Sequence, residues 1–453
     1  MAPSPDVGDV AHPAPPRSES VDAQRDSIGA YQWYALVLLV MVYTVHAMDR
    51  MVINVLVEPI RQTFQLSDSA LGFLTGLGYA IPFALFGLPL GALADRRKRT
   101  VLLSALISVW SVFTALGGLA QHYYTLLFTR MAVGATESGS PPTALSLVTD
   151  YFQPRVRPMA VSVFFFGGPL GVALGALLAG EVASAHDWRF ALFAAMVPGL
   201  IVGALVLLTL REPVRGGLDQ TQETVTDVPL AEVLRLVARE PRLSLLIAAL
   251  VLASMASVGV VAWAPALVMR AFHVPIAEAG RYIAVAGLMG GLGTLLGGVL
   301  SSVYAKGRAE RLLLMSGVAL LLAVPLFLVG LSMQSFAIFL PLYLCWSLAH
   351  VIYLGPCNSL LLGLTPAPMR GRVMALSLIL CNIIGAGVGP QIAGLLSDVF
   401  AAMGDARALT HAMMALTLAA ALAGMLLLWA LRHVPPGMPQ PLKLHALQTG
   451  NEP

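Results

Sequence analysis

Arg130-Met-Ala-Val-Gly-Ala-Thr-Glu137, continuing through Ser138-Gly139-Ser140 to Pro141-Pro142, sets two opposite charges inside an otherwise apolar run over 124–148. The run is long enough to cross a bilayer as a helix. Charges at that depth are costly and persist where they face a protein interior or a water-filled path. A spacing of two helical turns puts Arg130 and Glu137 on one face. A second apolar run, 33–57, carries His46, Asp49 and Arg50, which share a face by i, i+3, i+4 spacing. The simplest arrangement brings these two faces together, with the rest of the chain as the frame around them.

Composition agrees with a membrane frame. Of the 453 residues, 57% are hydrophobic and 11% charged, whereas a soluble globular chain carries about 25% charged residues. A net charge of +3 is too small to point to nucleic acid. Cys345, Cys357 and Cys381 lie in apolar runs without C-x-x-C or His/Cys spacing, so neither a disulfide frame nor a metal site is expected. No P-loop or other phosphate-binding glycine loop follows a strand, and no cofactor is expected. Residues 1–30 are rich in Pro, Ser and charge and read as a disordered tail, not as a signal peptide.

Apolar stretches of spanning length recur at 33–57, 70–93, 101–120, 124–149, 158–183 and 189–210, then at 243–269, 277–304, 311–331, 335–363, 373–397 and 408–431. The pattern predicts an all-α membrane protein of twelve transmembrane helices: a six-helix bundle over 31–210, a linker over 211–242, a second bundle over 243–431 and a tail over 432–453. In the linker, Leu230, Val233, Leu234 and Val237 follow i, i+3, i+4, i+7, with Arg235, Arg239 and Arg242 on other faces. That pattern fits an amphipathic helix on the membrane surface and equally a short soluble helix on a loop. Lys and Arg favour one set of loops by about four to one, typified by Arg96-Arg97-Lys98-Arg99, against Arg61, Arg189, Arg270, Arg281 and Arg407 on the other side. Both termini are therefore expected in the cytoplasm, with the protein in the plasma (inner) membrane as a monomer.

The halves repeat. Pro154-Arg-Val-Arg-Pro-Met-Ala-Val-Ser162 aligns with Met369-Arg-Gly-Arg-Val-Met-Ala-Leu-Ser377, and Gly168-Pro169 has a counterpart in Gly389-Pro390. Two six-span halves related about the membrane normal are the architecture of major-facilitator transporters, which rock one half against the other. Gly91-Ala-Leu-Ala-Asp95-Arg96-Arg97-Lys98-Arg99 resembles that family's signature between spans two and three, with Lys98 where a Gly is usual. The resemblance implies a gating latch of Asp95, Arg99 and Asp150 beside Gly91. An ordinary basic cytoplasmic loop is the plainer reading of the same residues.

A narrower resemblance follows from an ordered set. Met48-Asp49-Arg50, Glu58-Pro59-Ile60, Arg130-x3-Gly134-x2-Glu137, Asp187-Trp188-Arg189, Arg211-Glu212-Pro213, Gly389-Pro390 and Ser397-Asp398 are similar to the spinster-like branch of the superfamily. Ala135-Thr136 stands where a Gly is common in that branch. Spinster-like eukaryotic relatives are associated with lysolipid and sphingolipid-type cargo, so the resemblance implies a lipid-like substrate.

Depth supports the pairing of the two faces independently. Arg50 is seven residues short of the end of span one, and Arg130 about six residues into span four, which runs the other way. At about 1.5 Å per residue both lie roughly 10 Å below the same surface. Asp49 then reaches Arg130, and His46 falls near the level of Glu137. Glu137 is expected to act as a proton-coupled switch, with Asp49–Arg130 competing for it and Arg50 free for an anionic group. A permanent ion-pair cluster that fastens two helices is the alternative, and His46 serves equally as a proton relay or a hydrogen-bond partner.

The second half carries no buried charge at the equivalent positions. Its polar and aromatic cavity candidates are Trp263, His350, Tyr353, Asn358 and Asn382. One charged wall and one apolar wall suit an amphiphile or hydrophobic acid, moved by alternating access with protons. A small-carboxylate/proton symporter of the anion:cation symporter type is the second reading, and a non-transporting membrane sensor the reading from another class. An enzyme is not expected, because no nucleophile–base or metal set is present.

Overall fold

A computed structural model describes residues 29–218, 229–306 and 308–433. Nearly all of both tails, and the middle of the linker, lie outside these residues. The first half runs α1 (Ala30–Val55), α2 (Val57–Phe64), α3 (Asp68–Thr75), α4 (Leu77–Arg96), α5 (Arg99–Gly117), α6 (Tyr123–Glu137), α7 (Ser140–Tyr151), α8 (Arg157–Ala185) and α9 (Trp188–Thr209). After the linker helix α10 (Leu230–Arg239), the second half runs α11 (Pro241–Phe272), α12 (Ile276–Leu300), α13 (Ala309–Ser332), α14 (Phe336–Ala349), α15 (Leu354–Leu364), α16 (Arg370–Leu380), α17 (Gly389–Ala402) and α18 (Ala408–Ala430). Helices satisfy their own backbone groups, which is what an apolar chain needs in lipid.

Eleven helical stretches among the described residues are long and apolar enough to cross a membrane. The twelfth span is α6 plus α7, and it is broken at Ser138–Gly139, beside Glu137. The cause is local. Pro141 and Pro142 lack the N–H groups that would bond the carbonyls of Glu137 and Ser138 four residues back, while proline is tolerated in the first turn of the helix that restarts there. Glu137 is thus the last residue of α6.

The halves meet along two symmetry-related pairs of spans. Span two breaks at Gly76, between α3 and α4. Span eleven carries a π-helical stretch, Cys381–Val388, between α16 and α17. A Cβ added at Gly76 would collide with the Gly387 carbonyl, and one at Gly72 would lie 2.6 Å from the Pro390 carbonyl oxygen. The two backbones therefore touch with no side chain between them. The α8–α12 contact is similar: a Cβ on Gly280 would lie 2.5 Å from the Ala176 oxygen. Small residues allow such close approach where helix association depends on packing.

In α10, Val233 is fully buried and Leu236 and Val237 pack against the second half, while Arg235 and Arg239 are exposed. Val233, Leu236 and Val237 thus turn onto the protein, while Leu234, expected on the same apolar face, is 48% exposed.

Candidate functional site

The two charged faces meet. Arg130 Nη1 donates to Asp49 Oδ2 at 2.8 Å, and Thr114 of α5 hydrogen-bonds the other Asp49 oxygen. Two turns further along α6, Glu137 Oε2 accepts the Tyr79 hydroxyl at 2.5 Å. His46 Nδ1 is 3.3 Å from the same oxygen but lacks hydrogen-bonding geometry. Glu137 is 0% exposed, Arg130 3% and Asp49 4%. Glu137 Oε1 and Arg130 Nε are buried and make no hydrogen bond among the described residues. Asp49 is thus satisfied through both oxygens, and Glu137 through one.

Arg50 is half-buried and forms no ion pair among the described residues. Its guanidinium carbon lies 4.7 Å from the Tyr79 ring centroid, and that of Arg130 lies 5.8 Å from the same ring. Close backbones hold this geometry. A Cβ at Gly134 would lie 2.5 Å from the Tyr79 carbonyl oxygen, and one at Gly175 of α8 would lie 2.6 Å from that of Met48. Tyr79 and Thr114 escape sequence reasoning, because a tyrosine and a threonine in apolar helices carry no cost that marks them as unusual.

The second-half candidates divide. Trp263 is 1% exposed and donates its indole N–H to the Pro390 carbonyl at 2.9 Å. Tyr353 is buried in the cluster around Cys357 and Leu360. Both are packing residues, a correction to their expected place on a cavity wall. His350 stacks on Trp346 with centroids 3.9 Å apart, and its Nδ1 lies 3.0 Å from the Trp346 carbonyl oxygen. Asn358 and Asn382 are half-buried, each donating to the carbonyl four residues back, of Leu354 and Leu378. None of the five contributes a hydrogen bond to the charged cluster.

Comparison with known proteins decides the family. The profile of the Major Facilitator Superfamily matches residues 39–390. The chain belongs to the major facilitator superfamily. An MFS-type efflux pump of Mycolicibacterium smegmatis is 30% identical over 403 residues, 88% of this chain and 92% of that one. The sphingosine-1-phosphate transporter SPNS2 of Danio rerio is 32% identical over 177 residues, 38% of this chain and 35% of that one. A bacterial homolog of the human lysosomal transporter Spinster, inward-facing and unoccupied, superposes with a TM-score of 0.81 at 26% identity, covering 90% of this chain and 98% of the other. The protein is a spinster-like transporter, multi-pass and integral to the membrane.

At one end of this spinster-like transporter, Arg99 is 2% exposed and pairs with Asp150 and, at 2.8 Å, with Glu212 Oε1. The Thr100 amide donates to Glu212 Oε2 at 2.9 Å. Burial works against the Glu212 carboxylate, but the Thr100 amide and the Arg99 guanidinium outweigh it and hold the group below the usual carboxylate range. Asp95, expected in this network, is exposed, and its carboxylate pairs with no cation among the described residues. Its carbonyl is engaged instead, by Arg215, which also bonds the carbonyls of Ala94 and Arg97. A Cβ at Gly91 would meet nothing within 4 Å. The Arg99 network joins α5, α7 and the start of the linker.

At the opposite end the halves of the transporter are tied together. Arg270 of α11 donates to Glu58 Oε2 at 2.5 Å and to Asp68 Oδ2 at 2.8 Å. Asp398 of α17 accepts the backbone N–H groups of Asp68 and Ser69 at 2.9 and 2.8 Å, and so caps α3 from the other half. Ser397 adds a hydrogen bond to Asp68 Oδ2 at 2.6 Å. Arg281 and Glu181 form a further, exposed pair between α12 and α8.

Proposed function

We propose that this transporter moves an amphiphilic or organic anion, lysolipid-like or a hydrophobic acid, by alternating access coupled to protons at Glu137. One observation carries the reading. Asp49 and Arg130 pair with each other, while Glu137 is fully buried beside them with one oxygen unpartnered among the described residues. A purely structural cluster gains nothing from an unsatisfied buried oxygen, which costs about 1–3 kcal/mol, whereas a site that takes and gives up a proton needs one. Arg50, held over the Tyr79 ring without a carboxylate partner among the described residues, is the group offered to an anionic headgroup. The name of the Danio rerio relative, a sphingosine-1-phosphate transporter, supports a lipid-like anion. The name of the Mycolicibacterium smegmatis relative, an efflux pump, supports export.

The ties at the Arg270 end favour a state closed there and open at the Arg99 end. With the basic loops in the cytoplasm, that state is inward-facing, which agrees with the likeness to an inward-facing relative. The termini then lie in the cytoplasm, with the monomer in the plasma (inner) membrane.

The test is proton flux in liposomes under an imposed pH gradient, comparing wild type with Glu137→Gln against lysolipids, fatty acids and small carboxylates. Flux driven by lysolipids or fatty acids, lost in the variant, is the expected result. Unchanged pH dependence in Glu137→Gln would make Glu137 structural. Flux driven by small carboxylates alone would favour the anion:cation symporter reading.

A further inference from the structure

Tyr79 occupies a position that neither helix geometry nor packing requires of a tyrosine. Its hydroxyl has one proton and gives it to Glu137, the residue that closes α6. Its ring lies under two guanidinium groups, those of Arg50 and Arg130. It is 3% exposed, so all three interactions occur away from bulk water, where each is strengthened. One side chain thus touches the buried acid, the cation of the Asp49 pair and Arg50, while His46 of α1 faces the same Glu137 oxygen at 3.3 Å.

The backbone that carries Tyr79 has a second contact. Span two breaks at Gly76, three residues earlier, where its backbone abuts the Gly387 carbonyl of the other half. On the next residue after Tyr79, the Ala80 Cβ would lie 2.9 Å from a Cβ added at Gly387. A single turn of helix therefore presents Tyr79 to the charged cluster and Gly76 with Ala80 to the seam between the halves. Beyond that seam, on the same two spans, lie Asp68 and Asp398. Gly387 itself sits in the π-helical stretch of span eleven, and such stretches often mark functional sites.

We propose that Tyr79 is the positioning residue that carries the protonation state of Glu137 to the Gly76–Gly387 seam, and so biases the opening of that seam. The inference rests on the reading of Glu137 as the proton site. An ionised carboxylate accepts the phenol proton in a charge-assisted bond about twice as strong as the bond to a neutral carboxyl. That difference is a coupling free energy when the two ends of the bond belong to elements that move differently. The α6 helix stays within the first half. The α4 helix bears on the second. Loss of the strong bond frees the first turn of α4 to shift against Gly387.

The test is the distance between spin labels at Ala185→Cys, on the end of α8, and Met403→Cys, at the end of α17. Both positions are exposed at the Arg270 end, and Cys345, Cys357 and Cys381 are replaced by alanine. Cargo-free protein in lipid nanodiscs is measured at acidic and mildly alkaline pH. Coupling of ordinary size predicts that pH changes the closed-to-open ratio about fivefold or more in wild type. Glu137→Gln should abolish that response, and Tyr79→Phe, which keeps the ring and removes the hydroxyl, should reduce it to less than about twofold. Phe83→Leu, which alters the neighbouring ring and spares the bond, should respond as wild type does.

A full response in Tyr79→Phe, together with none in Glu137→Gln, overturns the role of Tyr79 and leaves the proton site standing. A response that survives Glu137→Gln, or a wild type with none, removes the proton site and the proposal with it.

Discussion

Arg270 reaches across the boundary between the halves to Asp68, its Nη1 2.8 Å from Oδ2, and the same guanidinium holds Glu58. These groups are largely buried at the interface, with side-chain exposures of 21%, 10% and 8% for Arg270, Asp68 and Glu58. Opening this end must pull them apart. The lock thus stabilises one conformation of the transporter, and its strength enters directly into the balance between conformations.

Arg270→Gln should therefore shift that balance by about tenfold toward the state open at this end, since removing one partner strands two carboxylates at a partly hydrated interface, at a cost of about 1–2 kcal/mol. Reaction of a cysteine at Leu267, on the wall of the cavity beside Arg270, with a water-soluble thiol reagent reads the shift. Equal labelling rates with and without Arg270 would show that the bridge is not holding the halves together.

Glu212 gives a pH prediction. Its carboxyl is held below the usual range by the Thr100 amide and Arg99 despite burial. A depressed folded-state value contributes stability that is present above the unfolded value, about pH 4.3. That contribution is lost as pH falls through the folded value. In detergent, Glu212→Gln should unfold at lower temperature than wild type at neutral pH, and the gap should close below about pH 4. A gap that persists there would mean that Glu212 acts through shape and not charge.

Much of this arrangement was legible in the chain, and the reason is cost. Asp49, Arg130 and Glu137 stand out because a charge in an apolar span demands explanation, and their depth follows from helical rise alone. The break after Glu137 is written in Pro141 and Pro142. Tyr79 was not legible, since its importance lies in which oxygen its hydroxyl meets. Trp263 was placed on a cavity wall on its chemistry, and its burial against Pro390 depends on packing that no periodicity reports. The Asp95 signature likewise named the right region, but Arg99 pairs with Asp150 and with Glu212, at the start of the linker, and not with Asp95.

Gly72 and Gly91 should respond oppositely to alanine. At Gly72 the new Cβ would lie 2.6 Å from the Pro390 carbonyl oxygen in the closed seam; at Gly91 nothing lies within 4 Å. Gly72→Ala should wedge the seam and favour the open state, read by the same Leu267 labelling. Gly91→Ala, in a helix interior, should leave that ratio unchanged and raise thermal stability by about 0.5–1 kcal/mol. If Gly72→Ala labels at the wild-type rate, the seam accommodates the methyl group and is not the closure it resembles.

Asp49 and Arg130 separate stability from function. The pair is almost fully buried, at 2.8 Å. Removing one member leaves the other uncompensated, at a cost of about 3–5 kcal/mol, whereas replacing both with neutral groups of similar shape is often close to neutral. Asp49→Asn alone should therefore lower thermal stability sharply, and Asp49→Asn with Arg130→Gln should recover most of it. Transport should not recover with it. In the double variant Glu137 keeps its Tyr79 bond but loses the nearby cation, and with it the proposed competition for Arg130. Melting curves and cargo-driven proton flux on the same three preparations check this directly. Flux that returns with stability would reduce the pair to a fastener between α1 and α6, with no part in the proposed coupling at Glu137.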